Sequence, residues 1–383
     1  MSNPNVRIKL AVLFNIIAPA KIPVYSGLAQ HFDLLLLHGG MESNRDSWVD
    51  PEKKIRGAAI KRVWGWQIPL RKMDGNVRDL RHLHINPTFI WYLFRFRPDV
   101  VITNEMGFRT LQALLYGTLT RTPVWVWWGG TPHTERSIGT LRRMMRFVIS
   151  RWARRWFSYG DTSTEYLVSL GIPRDRIVQI QNAVDETQFS ADAKPEFQLQ
   201  PRPVLLHVGQ LIARKGIDAF LRAAAAVRKE GYEFSMLLVG NGPDKQKLEQ
   251  LAADLQLKNV NFRSSLPPEK MPSVYRSADV LIFPTLSDVW GTVANEAVLC
   301  GLPVLCSKFA GCAPELFTGD SIFDPENPVE FVAKLRESIA GHLPKPDVTR
   351  IQTTAEIVNR MISAIQSSAP SQVDAIHPVQ VRK

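Results

Sequence analysis

The amino-acid sequence predicts an α/β protein with two doubly wound parallel-sheet domains, on three observations. Its 383 residues suit two domains of ordinary size. Short apolar runs alternate with amphipathic helical stretches from end to end, which is the rhythm of βαβ units. Residues 190–202, rich in Ala, Gln and Pro, interrupt that rhythm. We therefore expect an N-terminal domain over 1–190, a linker over 191–202, a C-terminal domain over 203–348, a helix over 349–367 and a disordered tail over 368–383.

The individual elements follow from the apolar runs and from what separates them. Buried β-branched runs of four to seven residues predict strands, and longer runs with helical spacing predict the helices between them. The predicted strands are Ile8–Phe14, Leu34–Leu37, Val100–Thr103, Val124–Trp127, Val204–Val208, Ser235–Val239, Val260–Phe262, Val280–Phe283 and Val304–Cys306. The predicted helices include Leu111–Thr118, Ile217–Glu230, Asp244–Asp254 and Glu296–Cys300.

Composition excludes several classes of protein. Hydrophobic residues make up 45% and charged residues 22%, which excludes disorder for most of the chain. Three cysteines in so long a chain exclude a disulfide scaffold, and they are expected to be reduced thiols in the cytoplasm. No run reaches the roughly 18 apolar residues of a membrane span. Arg7 and Lys9 before an apolar run resemble a secretory signal, but Asn15 interrupts the run, so Lys9–Asn15 is interpreted as the first buried strand.

The net charge of +11 lies entirely in the N-terminal half. Residues 1–190 hold 26 Lys and Arg against 15 Asp and Glu, whereas residues 191–383 hold 21 of each. The helical pattern of Leu141–Tyr159 and the segment 53–72 combine arginines or lysines with Trp, Phe and Met, which is typical of a helix lying on an anionic membrane surface. The alternative is a buried helix whose arginines are solvated or salt-bridged. Nucleic acid is not expected, because no nucleic-acid-binding motif occurs. The membrane-facing candidates are Arg142, Arg143, Arg146, Arg151, Arg154 and Arg155.

The segment from Val280 to Ser307 carries the strongest chemical signal. A buried strand ends at Pro284, a polar loop holds Asp288, and a helix with Glu296 begins near Gly291. Loops at the carboxyl ends of parallel strands bind ligands, and a helix N-terminus there attracts phosphate. Gly291 would let a diphosphate approach the backbone closely. The alternative is a capping aspartate and a solvated glutamate.

Two further strand-to-loop segments point to phosphate. VLLHVGQLIARKG places Arg214 and Lys215 just after a strand, where two cations can neutralise a diphosphate; a solvated surface pair is the alternative. LLVGNGPD has a GxG, but Lys245 stands where the dinucleotide fingerprint needs its third glycine. A nicotinamide or flavin cofactor is therefore disfavoured.

These pieces together resemble the donor domain of family 4 glycosyltransferases, which are retaining, nucleotide-sugar-dependent enzymes of the GT-B fold. The motifs follow in family order: VGQLIARKG, LLVGNGPD, VNFRSS, SVYRSADVLIFPT, D-x7-E within SDVWGTVANEA, and CGLPVL. GIPRDRIVQIQNAVDETQF resembles the segment that closes the first domain of such enzymes. The resemblance implies two Rossmann-like domains facing across a cleft, with an acceptor-side N-terminal domain and a final helix that crosses back onto it.

The resemblance also implies roles for individual residues. Lys215, assisted by Arg214, would bind the donor diphosphate, and Glu296 would bind the ribose. Asp288, with His133 from the first domain, would contact the transferred sugar as the catalytic residues; a histidine satisfied within a loop is the alternative for His133. The remaining donor-binding candidates are Phe262 and Arg263 around the base, and Gly291, Thr292 and Val293 through their backbone N–H groups.

Three departures from the family pattern stand out. Gln210 replaces the usual Arg of a GRL triplet. Asp288 is shorter than the usual Glu, which draws its carboxylate back by about 1.5 Å. The loop NIIAPAKIP lacks the glycine pair that many members place beside the donor.

The resemblance implies a hexosyltransferase that moves a sugar with retention from a nucleotide-diphosphate sugar to a lipid-linked or glycan acceptor in cell-surface polysaccharide biosynthesis. No D-x-D motif occurs in the sequence, so neither a metal nor another cofactor is expected. The expected location is the cytoplasm, peripherally on the inner face of the cytoplasmic membrane. Two alternatives stay open: a catalytically silent membrane-surface scaffold, and another GT-B enzyme such as a sugar-nucleotide epimerase.

Overall fold

The computed structural model describes residues 7–40, 51–74, 77–189 and 192–369. The predicted tail beyond residue 369 and the start of the predicted linker at 191 lie outside these ranges. None of the helices in the described ranges is both long and apolar enough to cross a membrane.

The N-terminal half forms a seven-stranded parallel sheet with helices on both faces. The strand order is β3-β2-β1-β6-β7-β8-β9, and β4 and β5 form a separate antiparallel hairpin. The strands are β1 (Lys9–Phe14), β2 (Asp33–His38), β3 (Ala58–Arg62), β4 (Trp66–Asp74), β5 (Val77–Ile85), β6 (Val100–Asn104), β7 (Val124–Trp128), β8 (Arg155–Tyr159) and β9 (Ile177–Ile180). The helices are α1 (Ile22–His31), α2 (Phe89–Phe96), α3 (Phe108–Thr120), α4 (Pro132–Glu135), α5 (Thr140–Trp152) and α6 (Gly160–Ser169).

The C-terminal half forms a second parallel sheet, of six strands, in the order β12-β11-β10-β13-β14-β15. Its order reverses between β10 and β13, which is the position where doubly wound sheets open a ligand crevice. The strands are β10 (Val204–Val208), β11 (Ser235–Val239), β12 (Val260–Arg263), β13 (Val280–Phe283), β14 (Val304–Ser307) and β15 (Ile322–Phe323). The helices are α7 (Ile217–Lys229), α8 (Lys245–Asp254), α9 (Met271–Tyr275), α10 (Thr292–Leu299), α11 (Ala313–Leu316), α12 (Pro328–Ile339) and α13 (Thr354–Ser368).

The inner strands, such as β1, are apolar along most of their length because both faces of each sheet are covered. In β1, Leu10 and Val12 join the core on one face of the first sheet, and Ala11 and Leu13 join the core on the other. Alternate side chains of a strand point to opposite faces, so a strand buried on both sides needs a continuous apolar run. The prediction of two doubly wound parallel sheets is confirmed, and each predicted strand is found with its ends within one residue.

The last helix belongs to the first sheet rather than to the second. Ile357, Met361 and Ile365 of α13 are fully buried in the core that α1 and β1 share. The returning chain is held where it crosses between the sheets, because Gln181 and Gln352 exchange two backbone-to-side-chain hydrogen bonds of 3.0 and 2.9 Å. The two sheets are therefore tied by both the outgoing and the returning chain.

The prediction of one helical segment from Leu141 to Tyr159 is wrong. The helix α5 ends at Trp152, Ala153 adopts an extended conformation, and Arg155–Tyr159 forms β8, a central strand of the first sheet. Trp156 and Phe157 are fully buried on the two faces of that sheet. A strand that is buried on both faces needs apolar residues in succession. Here those residues follow α5 so closely that they look like a continuation of its helical pattern.

Candidate functional site

The site is built on the facing loops after β10 and β13, which are neighbouring strands of the second sheet. The backbone N–H of Leu286 donates to the Arg214 carbonyl at 2.9 Å, and Arg214 Nη1 donates to the Ser287 carbonyl at 2.6 Å. The two loops therefore form one rigid unit at the carboxyl edge of the sheet. Arg214 and Lys215 lie in a single turn of 3-10 helix, Ala213–Lys215, on this unit.

Lys215 and Asp288 form a largely buried ion pair at the centre of the unit. Lys215 Nζ lies 2.5 Å from Asp288 Oδ2, and the two side chains are 13% and 14% exposed. Burial by itself would raise the pKa of the Asp288 carboxyl, but the Lys215 and Arg214 cations outweigh it and lower that pKa. Asp288 is therefore ionised, and one positive charge of the two cations is left over for an anionic ligand.

Two glycines allow these loops to approach the sheet closely. Gly216 has φ +66°, and a Cβ there would lie 2.1 Å from the Pro284 carbonyl oxygen. Gly291 has φ +100°, and a Cβ there would lie 2.4 Å from the Phe283 ring. Both positions need glycine for conformation and for space. Gly291 was predicted to admit a ligand; its packing against Phe283 gives it a structural role as well.

The N-terminus of α10 lies beside the ion pair. Gly291 is its N-cap, and no side chain among the described residues caps the helix, so the first-turn N–H groups of Thr292 and Val293 have no side-chain acceptor there. Such N–H groups, with the positive end of the helix dipole, form an anion-binding position. Thr292 and Val293 are the first two residues of this helix, and their binding of a phosphate stays a prediction.

Glu296 is the fifth residue of α10 and is held by a tyrosine from α9. The Tyr275 hydroxyl donates to Glu296 Oε2 at 2.5 Å. Burial raises the pKa of Glu296 to about 7, although the Tyr275 hydrogen bond acts in the opposite direction. Tyr275 was missed as a functional residue; it lies within the motif SVYRSADV, but its spacing from Glu296 gives no sign of the contact.

His133 reaches this unit from the first domain. It lies in α4, and its Nε2 is 2.7 Å from the Leu286 carbonyl oxygen. A carbonyl can only accept, so Nε2 carries the proton. The imidazole stacks on Phe309 with ring centroids 3.8 Å apart, and burial lowers its pKa. A neutral histidine is therefore held between the domains. Its partner, Leu286, lies two residues before Asp288 in the same loop. The sequence analysis did not identify Phe309 as a contact of the site.

Phe262 and Arg263 are less closely associated with this unit. Phe262 is partly buried and packs against the core beneath α7 and α8. Arg263 is exposed, and its guanidinium carbon lies 5.6 Å from the centroid of the Phe197 ring. Gln210, the residue that departs from the GRL triplet, is exposed in the loop after β10.

The first domain holds an unusual buried lysine in the loop after β1. Lys21, in the loop NIIAPAKIP, is 7% exposed, and its Nζ lies 4.5 Å from the centroid of the Trp127 ring and 4.7 Å from that of Tyr159. Burial lowers its pKa to about 7. No hydrogen-bond partner reaches its Nζ among the described residues.

A second contact line joins the domains beside this site. Glu315 of α11 accepts from the backbone N–H of Asp161 at 2.5 Å and from Gln181 Nε2 at 3.0 Å. Thr162 Oγ1 donates to the Gly311 carbonyl at 3.1 Å. The carboxyl edges of the two sheets therefore face one another, with the site between them.

Comparison with known proteins supports this arrangement. Residues 190–353 match the family described as glycosyl transferases group 1. The chain is 30% identical over 190 residues to the GDP-mannose-dependent α-(1-6)-phosphatidylinositol monomannoside mannosyltransferase of Mycolicibacterium smegmatis, covering 47% of this chain and 48% of that protein. It is 24% identical over 278 residues to sulfoquinovosyl transferase SQD2 of Arabidopsis thaliana, covering 66% and 52%. The chain thus spans about half the length of these curated relatives.

Solved structures match over nearly the whole chain. The apo form of the lipopolysaccharide outer core galactosyltransferase WaaB superposes with a TM-score of 0.69 at 14% identity, covering 94% of this chain and 99% of that one. Anabaena Alr3699/HepE in complex with UDP-glucose superposes with a TM-score of 0.67 at 15% identity, covering 94% and 100%. The chain therefore has the two-domain GT-B fold, and its C-terminal domain carries the pattern of the glycosyl transferases group 1 family.

Proposed function

We propose that this protein is a retaining family 4 glycosyltransferase that moves a sugar from a nucleotide-diphosphate donor to a lipid-linked or glycan acceptor. The observation that carries the proposal is the placement of Arg214, Lys215, the α10 N-terminus and Glu296 at the switch point of the second sheet, with His133 above them. Cations and helix N–H groups suit a diphosphate, and a carboxylate one helical turn away suits a ribose.

The proposed reaction needs three contributions from the protein. Lys215, Arg214 and the N–H groups of Thr292 and Val293 stabilise the negative charge on the leaving diphosphate. The bond between the anomeric carbon and the phosphate oxygen breaks as the acceptor oxygen bonds to that carbon on the same face. The acceptor's proton passes to the departing phosphate oxygen. Asp288 and His133 orient the sugar ring, so that configuration is retained.

The chain's own cations take the part that a divalent metal plays in other transferases. We therefore propose no metal and no further cofactor. The name of the Mycolicibacterium relative includes a lipid acceptor, which supports a lipid-linked acceptor for this chain. We propose that this acceptor belongs to a cell-surface glycan pathway and that the protein works at the inner face of the cytoplasmic membrane. Glycan assembly on a lipid carrier would place the acceptor there.

The donor class is tested by thermal unfolding with UDP, GDP, ADP, dTDP and CMP. One nucleotide is expected to raise the melting temperature of the wild type, because a ligand at 100 times its dissociation constant adds about 2.7 kcal/mol to the stability of the state that binds it. Glu296→Gln should lose that shift, whereas Glu249→Gln, an exposed glutamate of α8, should keep it. A shift that survives in Glu296→Gln would remove the ribose role.

Activity is then tested with the matching nucleotide sugar. NMR of the product should show the anomeric configuration of the donor, and turnover should persist in EDTA. Nucleotide binding without turnover on any lipid-linked or glycan acceptor would favour the silent scaffold. An epimerised nucleotide sugar would identify the epimerase alternative.

A further inference from the structure

An exposed apolar surface covers one side of the first domain. Helices α2, α3 and α5 pack side by side on the same face of the first sheet, opposite α1 and α13. The Phe94 and Tyr116 rings join α2 to α3 at 5.1 Å, and Trp152 Nε1 donates to Thr118 Oγ1 at 3.0 Å, joining α5 to α3. Large apolar side chains point outward from this layer, which we call the apolar platform: Trp91, Phe94, Leu119, Leu141, Met144 and Phe147.

Several side chains of the platform are mostly exposed to solvent. Leu119, Leu141 and Phe147 are 64%, 68% and 59% exposed. Contiguous apolar patches of this kind on soluble domains mark surfaces that bind a partner or a membrane. Much of the outward face of the three helices is apolar. Exposing that surface to water is unfavourable in free energy unless a partner covers it.

The charge of the platform indicates what covers it. The sequences of α2, α3 and α5 contain no Asp or Glu. Arg95, Arg121, Arg143 and Arg151 are exposed on or beside these helices. The Arg151 guanidinium carbon lies 5.3 Å from the centroid of the Phe147 ring, so cation and apolar group share one surface. Arginine with Trp, Phe and Leu on one face suits the boundary between anionic headgroups and acyl chains.

The structure shows which of the six predicted arginines are exposed on α5. Arg146 forms a mostly buried pair with Glu135 at 2.8 Å, so it does not face a bilayer. Arg154 and Arg155 lie beyond α5, where they line a cavity with Asp175 and Arg176 at the amino edge of the sheet. Of the six predicted arginines, Arg143 and Arg151 are both exposed and on the helix.

We propose that the apolar platform inserts into the surface of an anionic bilayer. A second copy of this chain is a poorer occupant, because two-fold pairing of the platform would bring arginines against arginines with no acidic partner on these helices. The helices α3 and α5 start from the carboxyl edge of the first sheet, where His133 lies, so a bilayer on the platform meets the rim of the cleft. This inference deepens the proposed function and rests on it for the identity of the acceptor.

Co-sedimentation with vesicles tests the proposal without donor or acceptor. The wild type is expected to sediment with phosphatidylcholine vesicles that contain phosphatidylglycerol, and more weakly with phosphatidylcholine alone or at high salt. Leu141→Gln with Phe147→Gln keeps the charge and should lower the partition coefficient roughly tenfold or more. Val329→Gln with Val348→Gln, two exposed valines of the second domain, is the matched control and should bind as the wild type does.

The other outcomes decide against the proposal. A wild type that stays in the supernatant, or an apolar double variant that sediments like the wild type, overturns it. A vesicle-independent dimer that the double variant separates, seen by light scattering, assigns the platform to self-association instead.

If the double variant melts at a lower temperature, Met144→Gln carries the same test. Nucleotide binding should be unchanged in all variants, so failure of membrane binding and failure of sugar transfer are distinguished.

Discussion

Glu296 is the residue whose titration reports on the proposed donor site. In the free protein its pKa is raised to about 7, so it is half protonated near neutral pH. Ribose hydroxyls donate to the ionised form, so nucleotide affinity should rise as pH increases through about 7 and level off above it. Calorimetry in buffers of different ionisation enthalpy should show proton release on binding below that pH.

Burial raises the pKa of Glu296, and Tyr275 opposes that rise. Its hydrogen bond lowers the pKa of Glu296, so Tyr275→Phe should move the midpoint of the affinity profile to higher pH without abolishing binding at high pH. Phe317→Leu, a change in the same core that does not touch Glu296, is a suitable control. A lower affinity at every pH, with no displaced midpoint, would mean that Tyr275 acts on packing alone.

Lys21 gives a pH dependence of stability, not of nucleotide affinity. Its folded pKa of about 7 lies below the ordinary lysine pKa of 10.5, so the unfolded chain binds more protons than the folded chain between these values. Stability therefore rises with pH across that window, and the burial penalty is fully present below about 7. Lys21→Met should stabilise the protein by about 2–4 kcal/mol at pH 6, and the gain should shrink toward pH 10.

Urea unfolding at both pH values measures this difference, with Lys345→Met, at an exposed position, as the control that should change little. A less stable Lys21→Met at pH 6 would show that the contacts of Lys21 with Trp127 and Tyr159 outweigh desolvation.

Sequence reasoning located the charged residues of the candidate site better than their partners. Lys215 and Asp288 are 73 positions apart but follow neighbouring strands, so strand order alone predicts their proximity. The contacts of Tyr275 with Glu296 and of His133 with Phe309 depend on how α9 and α4 dock, which no local pattern encodes. The burial of Lys21 likewise depends on two aromatic residues far along the chain.

At the scale of elements, the turn into α10 depends on one glycine. Gly291→Ala would place a methyl group in the left-handed region of φ and against the Phe283 ring. We expect a loss of about 1–3 kcal/mol of stability and weaker nucleotide binding, because the α10 N-terminus would shift. Gly319→Ala, where a Cβ meets nothing within 4 Å, is the matched control and should change stability little. Equal stability of both variants to urea would contradict the packing argument.

The sequence predicted an element correctly where its apolar residues follow one periodicity, of a helix or of a strand. It failed where a helical pattern runs directly into a strand. The fully apolar strands, such as Val280–Phe283, are unambiguous because both of their faces are buried. The boundary at Ala153 was missed, since Arg151, Arg154 and Arg155 carry the basic helical pattern of α5 straight into β8. Trp156 is fully buried within the sheet, which favours a strand at this position. That burial arises only in the folded sheet, so the local sequence does not reveal it.

At the scale of the whole molecule, the excess charge and the apolar platform lie in the same half of the chain. Residues 191–383, which are neutral in sum, include the candidate donor site. The proposed division of labour follows: one domain binds the donor from water, and the other meets the acceptor at a surface. The α13 helix links the two, because it follows the second sheet in sequence and is buried in the first.

The burial of α13 in the first domain predicts which domain loses stability when the packing of this helix is disrupted. Met361 is fully buried against the first-domain core, so Met361→Ala should cost about 2–5 kcal/mol and lower the unfolding transition of the first domain. Asn359→Ala, on the exposed side of the same helix, should leave both transitions in place. The donor nucleotide should still raise the transition of the second domain in Met361→Ala, since its contacts lie there. Differential scanning calorimetry with and without the nucleotide measures both unfolding transitions. If there is only one transition, lowered by Met361→Ala and raised by the nucleotide, the two domains unfold as a unit.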